Sequence, residues 1–397
     1  MAGTVLPCGR SRPSVRPTPY PPTTYGESMS ASTMVDWNLA VATGTRLVRP
    51  GPQVSPDLAR QAVADLKTYA AQAHGHVADF TGLDAPTDRS SVVVIDRPGW
   101  IQANAAGFRT VLEPLVEKLQ ERRSSTSLVG DAVGAKVTGV QTGTLLAFLA
   151  SKVLGQYELF PPYGAPAGDR PGRLLLVAPN IVSAEQEMGV LPRDFRLWVC
   201  LHEETHRVQF GAVPWLREHM MSEIRAFVDA TDVDPAALAE RMRSAAAAAY
   251  SALREGFDPD STESGASLVE AVQTPAQREI LDRITALMSL LEGHADFVMD
   301  GVGPSVIPTV GEIRAKFQAR RKEAKRVEQV LRRLLGIDAK LRQYRDGERF
   351  VRGAVERAGM HGFNQVWEAP ANLPTKAEIS DPAAWVTRVV TPRSLPA

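Results

Sequence analysis

The sequence predicts a mainly α-helical protein, an α+β fold with a small sheet. Two observations lead to this prediction. Apolar residues recur at helical spacing along most of the chain, and only two short runs, 91–96 and 173–180, have the composition of β-strands. A chain of 397 residues with 44% hydrophobic residues is long enough for one large domain or two medium ones.

The charge balance argues against several classes of partner. Lys plus Arg and Asp plus Glu number 45 each, so nothing indicates binding to nucleic acid or to an anionic membrane. The chain has no apolar run long enough for a membrane-spanning helix. Its two cysteines, Cys8 and Cys200, do not form a disulfide framework, which fits a reducing compartment. We therefore expect a cytoplasmic protein, and nothing in the sequence indicates an oligomeric state.

The first half of the chain divides into two predicted regions. Residues 1–33 are rich in Pro, Ser and Thr and lack the apolar core of a secretion signal, so we expect a disordered N-terminal extension. Residues 34–154 are predicted to form an N-terminal helical region. Its expected elements are helices over 56–71, 107–122 and 133–154, and a strand over 91–96 that residues 97–99 should end.

The second half also divides into two predicted regions. Residues 155–375 are assigned to a catalytic region, and residues 376–397 to an irregular C-terminal tail. The catalytic region begins with a Pro- and Gly-rich loop and a buried strand that Pro179 should end. A helix that begins at Pro192 is expected after this strand. Four further helices are expected over 215–230, 234–255, 275–300 and 312–335.

The motif that carries chemistry is His202-Glu203-Glu204-Thr205-His206, which lies in the helix expected to begin at Pro192. Residues four apart lie on one face of a helix, so His202 and His206 project in the same direction. Two imidazoles at this spacing can hold one Zn²⁺, and Glu203 beside them can act as a general base. We interpret Glu204 either as a surface residue or as a residue that contacts one of the metal ligands.

The third zinc ligand must come from elsewhere in the chain. The extended His-x-x-Gly-x-x-His pattern is absent, because Gln209 and Ala212 stand where Gly and His would be required. A carboxylate on a second helix is the alternative, and we favour Glu292, with Asp296 one turn further on as acceptor from a ligand imidazole. His294 lies about 200° around the helix from Glu292, so the two cannot ligate one ion.

A zinc hydrolase also needs a donor to the oxyanion that forms in the transition state. Tyr157, His219, His294 and Tyr344 are the candidates that the sequence offers. Each of these residue types more often packs in the core than takes part in catalysis, so the sequence does not single out one of the four as the oxyanion donor.

A family resemblance rests on these motifs. The His-Glu-x-x-His helix followed by Glu-x-x-x-Asp resembles the gluzincin branch of the zincin metallopeptidases. The segment between the two motifs is longer here than in the best-known gluzincins, which implies extra helices. Further stretches resemble a largely actinobacterial family of zincin-like hydrolases that is labelled as associated with deazaflavin coenzyme biosynthesis. These stretches are 96–100, 139–143, 154–157, 291–296 and 363–367.

The resemblance implies a fold and a set of site residues. It implies a zincin-like helical core in which the motif helix packs near a short strand region. By motif position it implies zinc on His202, His206 and Glu292, with Glu203 as the catalytic residue.

The leading hypothesis is a zinc-dependent hydrolase, most simply a metallopeptidase, that acts on a peptide or a small amide. A zinc-stabilised binding or scaffold protein without turnover is one alternative, and a hydrolase of a non-peptide amide is another. The basic stretch within 312–335 is interpreted as a solvated helix face rather than a nucleic-acid surface.

Overall fold

The computed structural model describes residues 34–85, 92–121, 128–159, 172–230, 274–322 and 337–391. Helices dominate these ranges and a single small sheet accompanies them, which confirms the predicted mainly α, α+β class. The expected N-terminal extension, 1–33, and the expected helix over 234–255 lie outside the described residues. Within the described ranges, no helix combines the length and the apolar character needed to cross a membrane.

The helices and strands alternate irregularly along the chain. In sequence order they are α1 (Trp37–Leu47), α2 (Pro56–Thr81), β1 (Val92–Ile95), α3 (Arg97–Glu121), α4 (Leu128–Ala150), β2 (Gly155–Glu158), β3 (Arg173–Val177), α5 (Ala178–Met188), α6 (Pro192–Ala212), α7 (Leu216–Asp229), α8 (Pro275–Val306), α9 (Val310–Lys322), α10 (Ile337–Phe363), two 3₁₀ turns (Asn364–Trp367 and Pro370–Asn372), α11 (Lys376–Ser380) and α12 (Pro382–Val389).

The sheet has the strand order β1-β3-β2, with β1 parallel and β2 antiparallel to the central β3. The last four residues of β3 are fully buried, which explains their unbroken apolar sequence. Both predicted strands are confirmed. Strand β2 was missed, because Gly155-Gln156-Tyr157-Glu158 has little strand character of its own and becomes a strand by pairing with β3.

Both predicted strands are followed directly by helices. The first strand ends before Arg97, as expected, because α3 begins there and the Asp96 carboxylate accepts a hydrogen bond from Gly99 N at 2.8 Å. Pro98 lies in the first turn, where a helix loses no hydrogen bond to proline. Pro179 follows the end of β3, as expected, but it also lies in the first turn of the unpredicted α5.

The predicted irregular tail over 376–397 is wrong for its described part. Thr375 and Glu378 form a reciprocal capping box that begins α11, and Pro382 lies at the start of α12. The Trp385 side chain is fully buried and packs against Phe350 with ring centroids 5.6 Å apart. Pro382 therefore begins a helix, and the buried Trp385 holds the segment on the core. The division of the chain into regions at residue 155 stays a prediction.

Helix α6 is the central element of the fold. It is buried on nearly all sides, and it packs against α2, α8 and the sheet. On the other side of α8, helix α10 crosses at two glycines: a Cβ built on Gly347 would lie 1.9 Å from Ser289 O, and one on Gly293 would lie 2.1 Å from Gly347 C. The close crossing fixes α8, and with it the residues that α8 presents to α6.

We expect Gly293→Ala to destabilise the protein, because the added methyl group cannot fit at the crossing and the two helices must separate. The expected loss is about 1–3 kcal/mol of unfolding free energy, measured by urea denaturation. Gly75→Ala is the matched control, since it also lies in a helix but has open space around its Cβ position. That change should stabilise by about 0.5–1 kcal/mol. Equal stability of the two variants would contradict the role given to Gly293.

Candidate metal centre

Helix α6 presents both motif histidines to one cavity. The rings of His202 and His206 lie with centroids 4.9 Å apart, and both side chains keep partial exposure, 22% and 13%. The cavity that they line has a volume of about 480 Å³. The i, i+4 spacing of the sequence motif has therefore placed both imidazoles at one opening.

Helix α8 brings a carboxylate to the same point. Glu292 Oε2 lies 3.5 Å from His202 Nε2 and 3.9 Å from His206 Nε2, and the three donor atoms are all within 4.8 Å of one another. Zinc bonds of about 2.0–2.2 Å in a tetrahedron put ligand atoms about 3.3–3.6 Å apart. The two imidazole–carboxylate distances, 3.5 and 3.9 Å, are close to this range.

Asp296 lies on the other side of the His202 ring. Its Oδ1 is 3.7 Å from His202 Nδ1, whereas Nε2 faces Glu292. Glu292 and Asp296 are one helical turn apart, so both reach the same imidazole from α8. The structure thus brings together five of the residues named from the sequence: His202, Glu203, His206, Glu292 and Asp296.

The carboxylates around His202 control the protonation of the site. Burial lowers the pKa of His202, but Glu292, Glu203 and Asp296 together outweigh burial and raise it to about 9. Burial raises the pKa of Glu203 to about 7; the neighbouring His202 lowers it and Glu292 raises it. A cluster in which carboxylates favour positive charge on an imidazole is an environment that attracts cations.

Glu203 faces the cavity beside strand β2. A Cβ built on Gly155 would lie 2.6 Å from Glu203 Cδ, so the absence of a side chain at Gly155 gives the carboxylate its place. With a pKa near 7, this carboxyl group can both accept and return a proton at neutral pH.

Glu204 has a role that the sequence did not reveal. It is fully buried, and its Oε1 accepts a hydrogen bond from Arg207 Nε at 2.8 Å and lies 2.8 Å from His74 Nδ1. The interpretation of Glu204 as a surface residue is therefore wrong. Its carboxylate connects α6 to α2, away from the cavity.

Gln209 is the contact that sequence reasoning missed. Its Oε1 lies 2.9 Å from His206 Nδ1, and its Nε2 lies 3.0 Å from Leu291 O. In the sequence it stood out only as a residue that breaks the extended histidine pattern. Its position three residues after His206, on the same helix face, was the signal that could have found it.

The four candidate oxyanion donors have different positions. Tyr157 lines the cavity and stacks on Phe210, with ring centroids 5.6 Å apart; burial raises its pKa, which Arg217 and Arg207 partly offset. His219 packs against Trp215 and does not line the cavity. His294 is fully buried against Phe363 and Trp367, a position that does not fit a donor to the cavity. The side chain of Tyr344 lies outside the described part of the chain.

The rest of the cavity is mostly apolar. Its polar end is formed by the two histidines and the carboxylates, and Lys152 also belongs to its lining. Bulky apolar side chains extend from there along α6, α8 and neighbouring helices. They are Trp198, Phe210, Met220, Met288, Met299 and Phe317.

Comparisons with known proteins agree with this geometry. A family model described as zincin-like metallopeptidase matches residues 35–386. A crystal structure from Chloroflexus aurantiacus, of a protein provisionally described as a hydrolase with a novel fold, is similar with a TM-score of 0.63 and 31% sequence identity. The match covers 89% of this chain and 98% of that one. No curated protein sequence matches the chain significantly.

The family implies a metal, typically zinc, and the described residues hold one group of donors, His202, His206 and Glu292, that can bind it. The similar structure and the family together support an enzyme of the hydrolase class. Because the family model covers most of the chain, this protein belongs to the zincin-like metallopeptidase family.

Proposed function

We propose that the protein is a zinc-dependent hydrolase that cleaves an amide bond, most simply in a peptide. The observation that carries this proposal is the convergence of His202, His206 and Glu292 from two helices at the polar end of a cavity. Two imidazoles and one carboxylate are the donor set of one class of catalytic zinc sites. A scaffold site would instead be closed by four protein ligands, whereas these three face an open cavity.

The ligands and their partners hold the ion in this proposal. His202 and His206 offer Nε2, and Glu292 offers a carboxylate oxygen. Asp296 Oδ1 lies 3.7 Å from the opposite nitrogen of His202, so its negative charge favours a proton on that nitrogen and leaves Nε2 for the ion. Bound zinc supplies Lewis acidity, which favours attack of water on a carbonyl carbon near neutral pH.

Glu203 moves the proton. It takes one proton from the attacking water as the new C–O bond forms, and it delivers that proton to the amine nitrogen as the C–N bond breaks. The products are a carboxylic acid and an amine, and Glu203 returns to its starting state. Burial raises the pKa of the Glu203 carboxyl group to about 7 before an ion binds, which favours the return of its proton to the leaving amine.

The cavity lining indicates the substrate class. Apolar side chains extend away from the polar end, among them Phe210, Met288 and Met299. We therefore propose a substrate with a bulky apolar side chain next to the cleaved amide.

Zinc content tests the ligand set directly. We expect stoichiometric zinc in the purified protein and in Glu203→Gln, and loss of zinc in His202→Ala and Glu292→Ala, measured by elemental analysis after dialysis. His219→Ala is the matched histidine control and should keep its zinc, because this ring packs on Trp215 away from the cavity. Stoichiometric zinc in Glu292→Ala would show that another residue is the third ligand.

Hydrolysis tests the general base. Glu203→Gln should lower kcat by about 10²–10⁴-fold, because the amide cannot take a proton from water. Glu218→Gln, a change at an exposed position on α7, is the control and should have wild-type activity. The assay is cleavage of a fluorogenic peptide library with zinc content measured on the same samples. A zinc-loaded Glu203→Gln protein with unchanged kcat would rule out this mechanism.

Matched peptides test the substrate class. Peptides with Met next to the cleaved bond should be turned over with kcat/KM about 10–100-fold higher than those with Gln, which has a similar shape. The difference corresponds to about 1.5–3 kcal/mol for burying the apolar side chain. Cleavage sites and rates are measured by mass spectrometry. Equal rates for both sets would contradict an apolar preference, and cleavage of small acylated amines alone would favour a non-peptide substrate.

A further inference from the structure

A buried hydrogen-bonded chain leads from His206 through Gln209 to the helix that carries Glu292. The Gln209 side chain has no solvent exposure. Its Oε1 lies 2.9 Å from His206 Nδ1, while its Nε2 lies 3.0 Å from Leu291 O and 2.9 Å from His294 Nδ1. One amide therefore contacts a proposed zinc ligand and the residue next to another.

The partners determine which way the amide and the imidazole must be oriented. Leu291 O can only accept a hydrogen bond, so the nitrogen of Gln209 must face it. The oxygen of Gln209 then faces His206 and accepts from its Nδ1–H. His206 is therefore protonated on Nδ1, which leaves a lone pair on Nε2, the atom that lies near Glu292.

The same reasoning accounts for the second amide hydrogen. Leu291 O takes one hydrogen of the Gln209 amide, and His294 Nδ1 accepts the other. Every donor of the Gln209 amide is thus used within the core. An amide with no free donor is held in one orientation, and it holds its partners in turn.

We propose that Gln209 is a positioning residue for the metal centre. It sets the tautomer and ring orientation of His206 and anchors the backbone beside Glu292, so that two ligands from different helices keep their relative positions. This inference rests on the proposed function, because it takes His202, His206 and Glu292 as the zinc ligands. Loss of such a partner weakens metal binding by about 10–100-fold.

The two imidazoles then have partners of different kinds. His202 has the charged and partly exposed Asp296, at 3.7 Å. His206 has the neutral and fully buried Gln209, at 2.9 Å. A carboxylate at position 209 would direct an oxygen towards Leu291 O, which can only accept a hydrogen bond. An amide is therefore the group that satisfies all three contacts.

The test is the zinc dissociation constant, measured by competition with a chromogenic chelator. Gln209→Met keeps the side-chain volume and removes every hydrogen bond, so its dissociation constant should rise about 10–100-fold. Gln209→Glu keeps an acceptor for His206 and loses both donors, so its affinity should fall between those of Gln209→Met and the wild type. The visible spectrum of the cobalt-substituted protein is the second readout, and Gln209→Met should alter its bands.

Gln277→Met is the matched control. Gln277 is another buried glutamine, at the start of α8, and its amide oxygen accepts from Thr274 N in the helix cap. Its loss should lower stability without changing the zinc dissociation constant or the cobalt spectrum. A general loss of folding would move both variants together, whereas a positioning role moves only Gln209→Met.

The outcomes separate this inference from the proposed function. Zinc binding by Gln209→Met within twofold of the wild type, with an unchanged cobalt spectrum, would overturn the role of Gln209 and leave the zinc site intact. Failure of the wild type itself to bind zinc would overturn the proposed function instead. If Gln209→Met does not fold, Gln209→Asn decides by the same measurement. Its amide is one methylene too short to bridge the same partners, and wild-type affinity would contradict the proposal.

Discussion

The packing of α6 against α8 places several charged and titratable groups in the middle of an apolar core. Three carboxylates, Glu203, Glu292 and Asp296, surround the imidazole of His202. Burying charge costs free energy unless an opposite charge compensates it. These carboxylates raise the pKa of His202 to about 9, because they stabilise a positive charge on its imidazole. A site that stabilises positive charge in this way is suited to a cation, and this property connects the fold to the proposed chemistry.

The precision of the site follows from how its two helices are held. Helix α6 is tied to α2 by the buried Glu204, which contacts His74 and Arg207. Helix α8 is tied to α10 by the close crossing at Gly293. Gln209 joins α6 to α8 directly beside the proposed ligands. Side chains on rigid helices with buried partners lose less freedom on binding a ligand than side chains on loops.

Local patterns were enough to predict the parts of the site that lie on single helices. The spacing of His202 and His206, and of Glu292 and Asp296, indicates shared helix faces without any knowledge of the tertiary structure. Strand β2, the contact of Glu204 with His74 and the contacts of Gln209 with Leu291 and His294 depend on partners far away in the sequence, so no local pattern shows them. The C-terminal helices were missed for a related reason, since Pro382 begins a helix and the packing of the buried Trp385 on distant residues holds the segment in place.

Glu203 and Glu204 show how environment divides two identical neighbouring side chains. Adjacent residues on a helix point about 100° apart, so the two carboxylates face different surroundings. Glu204 points towards α2, where Arg207 and His74 surround its carboxylate in the core. Glu203 points towards the cavity, where burial and the nearby Glu292 raise its pKa and His202 only partly offsets them. Glu204 therefore connects two helices and stabilises the fold. Glu203 keeps a carboxyl group that can gain or lose its proton near neutral pH, as a general base requires.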